Sequence, residues 1–102
     1  MIGRLWRGKT TEENADAYEN VLRSLVLPEL DQIPGSQGAY VLRRDVDDGV
    51  EFITLTLFES LDAIKLFAGE DYEQAVILPE AKALLSSVDP YAAHYEVVIQ
   101  PD

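Results

Sequence analysis

The chain contains no cysteine. That absence removes disulfide bonds, thiolate nucleophiles and thiolate metal sites together. Histidine is nearly as scarce: His94 is the sole imidazole, and so the one side chain whose ordinary pKa lies near neutrality. Cations are few as well. Eight Lys and Arg stand against nineteen Asp and Glu, for a formal net charge of −11. Phosphate backbones and anionic lipid repel such a chain, which argues against nucleic acid and membrane surfaces as partners. No apolar run approaches the roughly 18 residues of a membrane span. The opening MIGRLWRGKT lacks the apolar stretch of about 7–15 residues that a secretory signal needs. A cytoplasmic location is expected. Phosphate loops, dinucleotide fingerprints, metal-ligand spacings, serine elbows, repeats and linkers are all missing from the sequence.

What is present is ordinary for a globular protein. The chain has 102 residues, of which 47% are apolar. That suits a single domain over residues 1–102 with an adequate but modest core. The few cations cluster, with Arg4, Arg7 and Lys9 near the start and Arg43 beside Arg44. They form either a local anion site or, the commoner arrangement, ion pairs at strand rims.

Hydrophobic periodicity gives the element order. Residues 2–7 alternate, with Ile2, Arg4 and Trp6 on one face, as in a strand. Thr10 with Glu13 reads as a capping box. Ala15, Tyr18, Leu22, Leu25 and Val26 then recur at helical spacing, and the helix is expected to end or bend near Pro28. Residues 38–45 and 50–58 are β-rich runs joined by Val46-Asp47-Asp48-Gly49, and Asp-Gly signals a hairpin turn. The second run is largely apolar or neutral on both faces. A single helical layer covers only one of them, so a second subunit is expected on the other. Ser60 caps a helix through Phe67, and Gly69 ends it. Asp71 is placed to cap a restart whose apolar face runs through Ile77, Leu78, Ala81, Leu84 and Leu85. Residues 92–100 are the last strand, with His94 and Glu96 on one face and Ala93 and Tyr95 on the other. The sequence does not fix which face meets the helices, because a shift of one residue reverses them. The order β-α-β-β-α-β is the ferredoxin-like α+β plan with a four-stranded antiparallel sheet.

FESLDAIKLFAGEDYEQA after the third strand, PEAKALL in the second helical region and HYEV on the last strand resemble the antibiotic-biosynthesis monooxygenase-like proteins of the dimeric α+β barrel superfamily. The resemblance covers nearly the whole chain. It implies a homodimer with facing sheets and a small-molecule cavity between each sheet and its own helices. Asp71-Tyr72, at the break after Gly69, would then lie at the cavity edge. The group includes monooxygenases, isomerases and haem-degrading enzymes. The haem-degrading members bind iron through a histidine in the second helical region. Residues 61–88 here contain none, so no cofactor is expected.

The activity implied by the resemblance is cofactor-independent oxygenation of a phenol- or quinol-like aromatic molecule. His94 is the candidate base. Trp6, Asn14, Tyr40, Phe58 and Tyr72 are the candidate substrate-binding residues. Against these stand blander readings: a histidine fixed at a strand rim, and aromatics that simply fill the core. The alternative function is a non-catalytic dimer that binds or senses a small molecule.

Overall fold

The computed structural model describes residues 1–101. Five antiparallel strands form one sheet: β1 (Ile2–Thr10), β2 (Ser36–Val46), β3 (Gly49–Phe58), β4 (Leu85–Val88) and β5 (Ala93–Glu96). The order is β2-β3-β1-β4, with β5 also paired to β1. β4 pairs with Gly8–Thr10 and β5 with Ile2–Leu5, so the two short strands share the fourth position of the ferredoxin-like plan. Four α-helices lie among the described residues: α1 (Glu12–Val21), α2 (Leu27–Asp31), α3 (Leu61–Ala68) and α4 (Pro79–Lys82).

Several boundaries differ from the sequence expectation, each for a local reason. Thr10 does not cap α1. It stays in β1 opposite Val50, and Thr11 caps instead, accepting from the Asn14 amide. The helix does not end at Pro28. A π-helical turn, Leu22–Val26, joins α1 to α2, and Pro28 falls in the first turn of α2. Proline supplies no N–H to the carbonyl four residues back and crowds it; a wider turn just before absorbs the misfit. The second helical region is much shorter than its apolar spacing suggests. Leu85 leaves the helix because the second edge of β1 is open there, and Val88 pairs with Gly8. β5 stops at Glu96, not at Gln100. One further bond runs from Val97 N to Met1 O, beyond the last ladder pair, Ile2 with Glu96. Ser60 caps α3 through the Ala63 amide, and Gly69 terminates it at φ 86°, as expected.

The helices cover one face of the sheet. On that face β3 presents Val50, Phe52, Thr54, Thr56 and Phe58, and β1 presents Ile2, Arg4 and Trp6 in register with Phe58, Thr56 and Thr54. The core lies in two clusters. Ala15, Tyr18, Leu22, Val50, Phe52 and Ala81 form the first. Leu30, Phe58, Ala63 and Ile64 form the second. The two threonines of β3 fall between them. The other face of the sheet carries Leu5, Leu42, Ile53, Leu55, Leu57 and Tyr40 with no helix over it, and Tyr40 is 56% exposed.

Where the β2–β3 turn closes, Gly49 has φ 148°, and a Cβ there would lie 2.2 Å from the Thr10 carbonyl oxygen. Both the backbone conformation and the fixed backbone obstacle exclude a side chain. Gly49→Ala is expected to destabilise the protein by at least about 2 kcal/mol, read as a lower urea midpoint with an unchanged slope.

Candidate functional site

A cavity of about 80 Å³ separates the two core clusters. Its sheet-side wall is Arg4, Trp6, Thr54 and Thr56; Tyr18, Leu22, Val26 and Leu30 close the helix side. Phe67 and the segment Val76–Leu78 complete it, and the exposed Glu29 stands at its rim. The position follows from the sequence of β3. Threonine is smaller than the phenylalanines before and after it on this face, so the helical layer cannot close down over Thr54 and Thr56. The π-helical turn lies directly above, contributing Leu22 and Val26.

Arg4 is the unusual member. It is only 4% exposed, and burial lowers its pKa to about 10, so it is still a cation at neutral pH. It has no carboxylate partner among the described residues. The other basic clusters do. Arg7 and Arg44 meet Glu51, Lys9 meets Asp48, and Arg43 meets Asp16 and Glu19. The rim ion pairs expected from the sequence are therefore present, and Arg4 is the exception to them.

Neutral groups satisfy part of Arg4. Nη1 donates to the Tyr72 carbonyl and lies 2.9 Å from His94 Nε2, while Nη2 donates to the Gln74 carbonyl at 2.8 Å. The guanidinium also lies 5.6 Å from the Phe67 ring centroid. Register explains the histidine contact: Arg4 and His94 are direct partners across β1 and β5, on the helix side of the sheet. Because arginine is donor only, His94 Nε2 is the acceptor and the ring proton resides on Nδ1. Burial, reinforced by the Arg4 charge and opposed by Glu73, holds His94 below its usual pKa. Tyr72 packs edge-on against the same imidazole, with ring centroids 5.2 Å apart.

The segment from Gly69 to Leu78 is a strap over this end of the cavity. It contains no regular helix or strand. Gln74 bridges to Tyr91, Ala75 N donates to Pro90 O, and Ala92 N donates to Glu73 O. The break after Gly69 thus lets two carbonyls turn inward onto Arg4.

The sequence candidates fall in three places. Trp6 lines the cavity, and its indole N–H donates to the Asp89 carbonyl at 2.7 Å. His94 and Tyr72 form a group with Arg4 but do not themselves line the cavity. The remaining three lie elsewhere. Asn14 is held on α1 by the Leu84 carbonyl, Phe58 is a fully buried core residue paired with Phe67, and Tyr40 stands on the opposite face of the sheet. Sequence reasoning missed Thr54 and Thr56, and it met Arg4 only as one of a basic cluster and Tyr18 only on the apolar face of a helix. Arg4 between Ile2 and Trp6 on the strand face and two threonines in a phenylalanine-bounded run were the available signals. Tyr18 is buried, its pKa is pushed up to about 12 by desolvation, and its hydroxyl has no hydrogen-bond partner among the described residues.

The chain belongs to the antibiotic biosynthesis monooxygenase family, whose model matches residues 1–77. No curated protein matches the sequence. Solved structures agree in fold. A Caulobacter crescentus protein described as a candidate antibiotic biosynthesis monooxygenase superposes with a TM-score of 0.70 at 22% identity, covering 96% of this chain and 90% of its own. SnoaB of Streptomyces nogalater, a cofactor-independent oxygenase solved as an N63A mutant, gives 0.66 at 16% identity, covering 97% and 94%. The ActVA-Orf6 monooxygenase of Streptomyces coelicolor, in complex with nanaomycin D, gives 0.63 at 15% identity, covering 99% and 92%. At these identities the likeness establishes the fold.

The depressed pKa of His94 has a consequence for stability. Between the lowered folded value and the unfolded value near 6.5, the unfolded chain binds more protons than the folded one. The contribution of His94 is therefore full above about pH 6.5 and lost as pH falls through the folded pKa. Urea midpoints should drop from pH 7 towards pH 5.5, and His94→Gln should flatten that slope. Parallel slopes in the two proteins would show that other groups cause it.

Proposed function

We propose that the protein is a cofactor-independent monooxygenase for a phenol- or quinol-like aromatic molecule. The observation that carries this reading is the apolar cavity at whose wall the buried Arg4 charge has no carboxylate partner among the described residues. Membership of the family supports it, as does the likeness in fold to SnoaB and ActVA-Orf6. A cation beside an apolar ring site lowers the pKa of a bound phenol by favouring its anion. That anion is the electron-rich species that reduces dioxygen. Over the whole reaction the substrate loses two hydrogens and gains one oxygen atom, and the second oxygen leaves as water. Dioxygen is the sole oxidant required.

In this scheme Arg4 stabilises the phenolate, and Trp6 and Phe67 flank the ring. His94 takes the proton. Its Nε2 faces Arg4, so the substrate hydroxyl must first displace that contact. At about 80 Å³ the cavity is also smaller than the roughly 300–1,000 Å³ of ligand clefts, so the strap that carries Val76–Leu78 has to shift to admit an aromatic ring. Tyr72, on the same strap, moves with it.

Oxygen consumption with a panel of naphthols and hydroquinones tests this. Turnover should be sustained around neutral pH, with an acid limb at the lowered pKa of His94, on the acid side of an ordinary imidazole. His94→Ala should lower kcat by about 10²–10⁴-fold. Undiminished turnover in that variant would remove His94 as the base. Saturable binding without oxygen uptake would favour the second reading, a non-catalytic binding protein, which the engagement of Nε2 by Arg4 supports.

We propose further that the open sheet face is covered by a second copy of the chain. The exposed Leu42 and Tyr40 with the half-buried Ile53, Leu55 and Leu57 on that face are the support for it; an apolar patch open to solvent marks an interface. Light scattering should give twice the chain mass, and Leu55→Asp should give the monomer mass with the helical signal retained. A wild-type protein of single-chain mass would sink this.

A further inference from the structure

Arg4 has five N–H donors. Three make contacts within the protein: both hydrogens of Nη1 and one of Nη2. The two that remain among the described residues belong to Nε and Nη2, neighbouring nitrogens of one guanidinium edge. A planar anion with two oxygens spans such a pair, taking one hydrogen on each; a phenolate offers one oxygen only. The rest of the wall is apolar except for Trp6, whose N–H is engaged by Asp89, and the hydroxyls of Tyr18, Thr54 and Thr56. Thr56 donates to the Arg4 carbonyl. Tyr18 and Thr54 have no partner among the described residues. The nearby carboxylates lie to the side: Glu29 is exposed at the rim, and Glu73 acts on His94.

A buried cation with no counter-ion is a costly arrangement. The two backbone carbonyls and the imidazole relieve it with dipoles and leave the net charge in place. The cavity beside it is where a compensating charge would go.

We propose that the cavity takes a small organic carboxylate, or an aromatic substrate bearing one, with Arg4 as its counter-ion. The carboxylate bridges Nε and Nη2 of Arg4, and the hydrocarbon body packs against Trp6, Phe67 and the strap. The proposal rests on the same cavity as the oxygenase reading and goes beyond it: a carboxylate takes the Arg4 edge that the oxygenase scheme gives to a phenolate, so the two anions are alternatives there. It also predicts binding whether or not oxygen is consumed.

Trp6 is the sole tryptophan and lines the cavity, so its fluorescence reports occupancy. The probes are propionate with propionamide and benzoate with benzamide, titrated at pH 7 in about 0.15 M salt. Each pair matches in shape and differs in charge. At least one acid should bind tenfold or more tightly than its amide. Arg4→Lys, which keeps the charge and loses the fork, should retain only part of that preference, and Arg4→Gln should lose it. If Arg4→Gln does not fold, the acid–amide comparison on the wild-type protein still decides. Equal binding of acid and amide, or no binding of either acid, overturns the proposal. Failure of phenols to consume oxygen while acids bind would overturn the oxygenase reading alone.

Discussion

The structure depends on how one positive charge is held inside the protein. Arg4 projects from β1, paired on both sides by β3 and β5, onto the helix face of the sheet. Withdrawing it from water is unfavourable, and burial lowers its pKa accordingly. The surroundings supply oriented dipoles instead of a carboxylate. Two strap carbonyls and one imidazole nitrogen converge on it. The break of α3 at Gly69 makes this possible. A helix continuing through residues 70–78 would spend its carbonyls on its own hydrogen bonds, and none would be left for the guanidinium. The same contacts fix the tautomer of His94 and bring Tyr72 to its edge.

The cavity is the second consequence of side-chain choice along one strand face. β3 alternates towards the helices as Val50, Phe52, Thr54, Thr56, Phe58. The bulky residues nucleate a cluster on each side, and the threonines leave a gap between the clusters. The π-helical turn before Pro28 spans the gap from above with Leu22 and Val26. Neither device is needed to fold a ferredoxin-like domain. Together they convert a continuous core into two cores with a space between, and Arg4 gives that space its sign.

Much of the fold was legible in the sequence. Alternation in residues 2–7 and 50–58, the Asp-Gly turn, the Ser60 cap and the Gly69 stop all appear where the pattern places them, because each rests on chemistry within a few residues. The site was less legible. Trp6, His94 and Tyr72 were singled out for their residue types, and they do gather at one end of the sheet. Asn14, Tyr40 and Phe58 were chosen on the same grounds and lie apart. Residue type tells what a side chain can do, while its neighbours depend on strand register. Arg4 sat among cations that form ordinary rim ion pairs, and only its burial separates it from them.

The sequence by itself determined the element order, the β2–β3 hairpin, the Ser60 cap, the Gly69 stop and the surplus of apolar surface on β3. These follow from backbone preferences and from periodicity, which act along the chain. Tertiary structure decided the rest. It turned residues 85–88 from helix to strand, because the second edge of β1 lay open. It chose the face of β5, pairing His94 with Arg4. It also made the strap's carbonyls ligands for a cation some seventy positions away. Such contacts depend on which edges and faces meet in space, and no local pattern of residues encodes that.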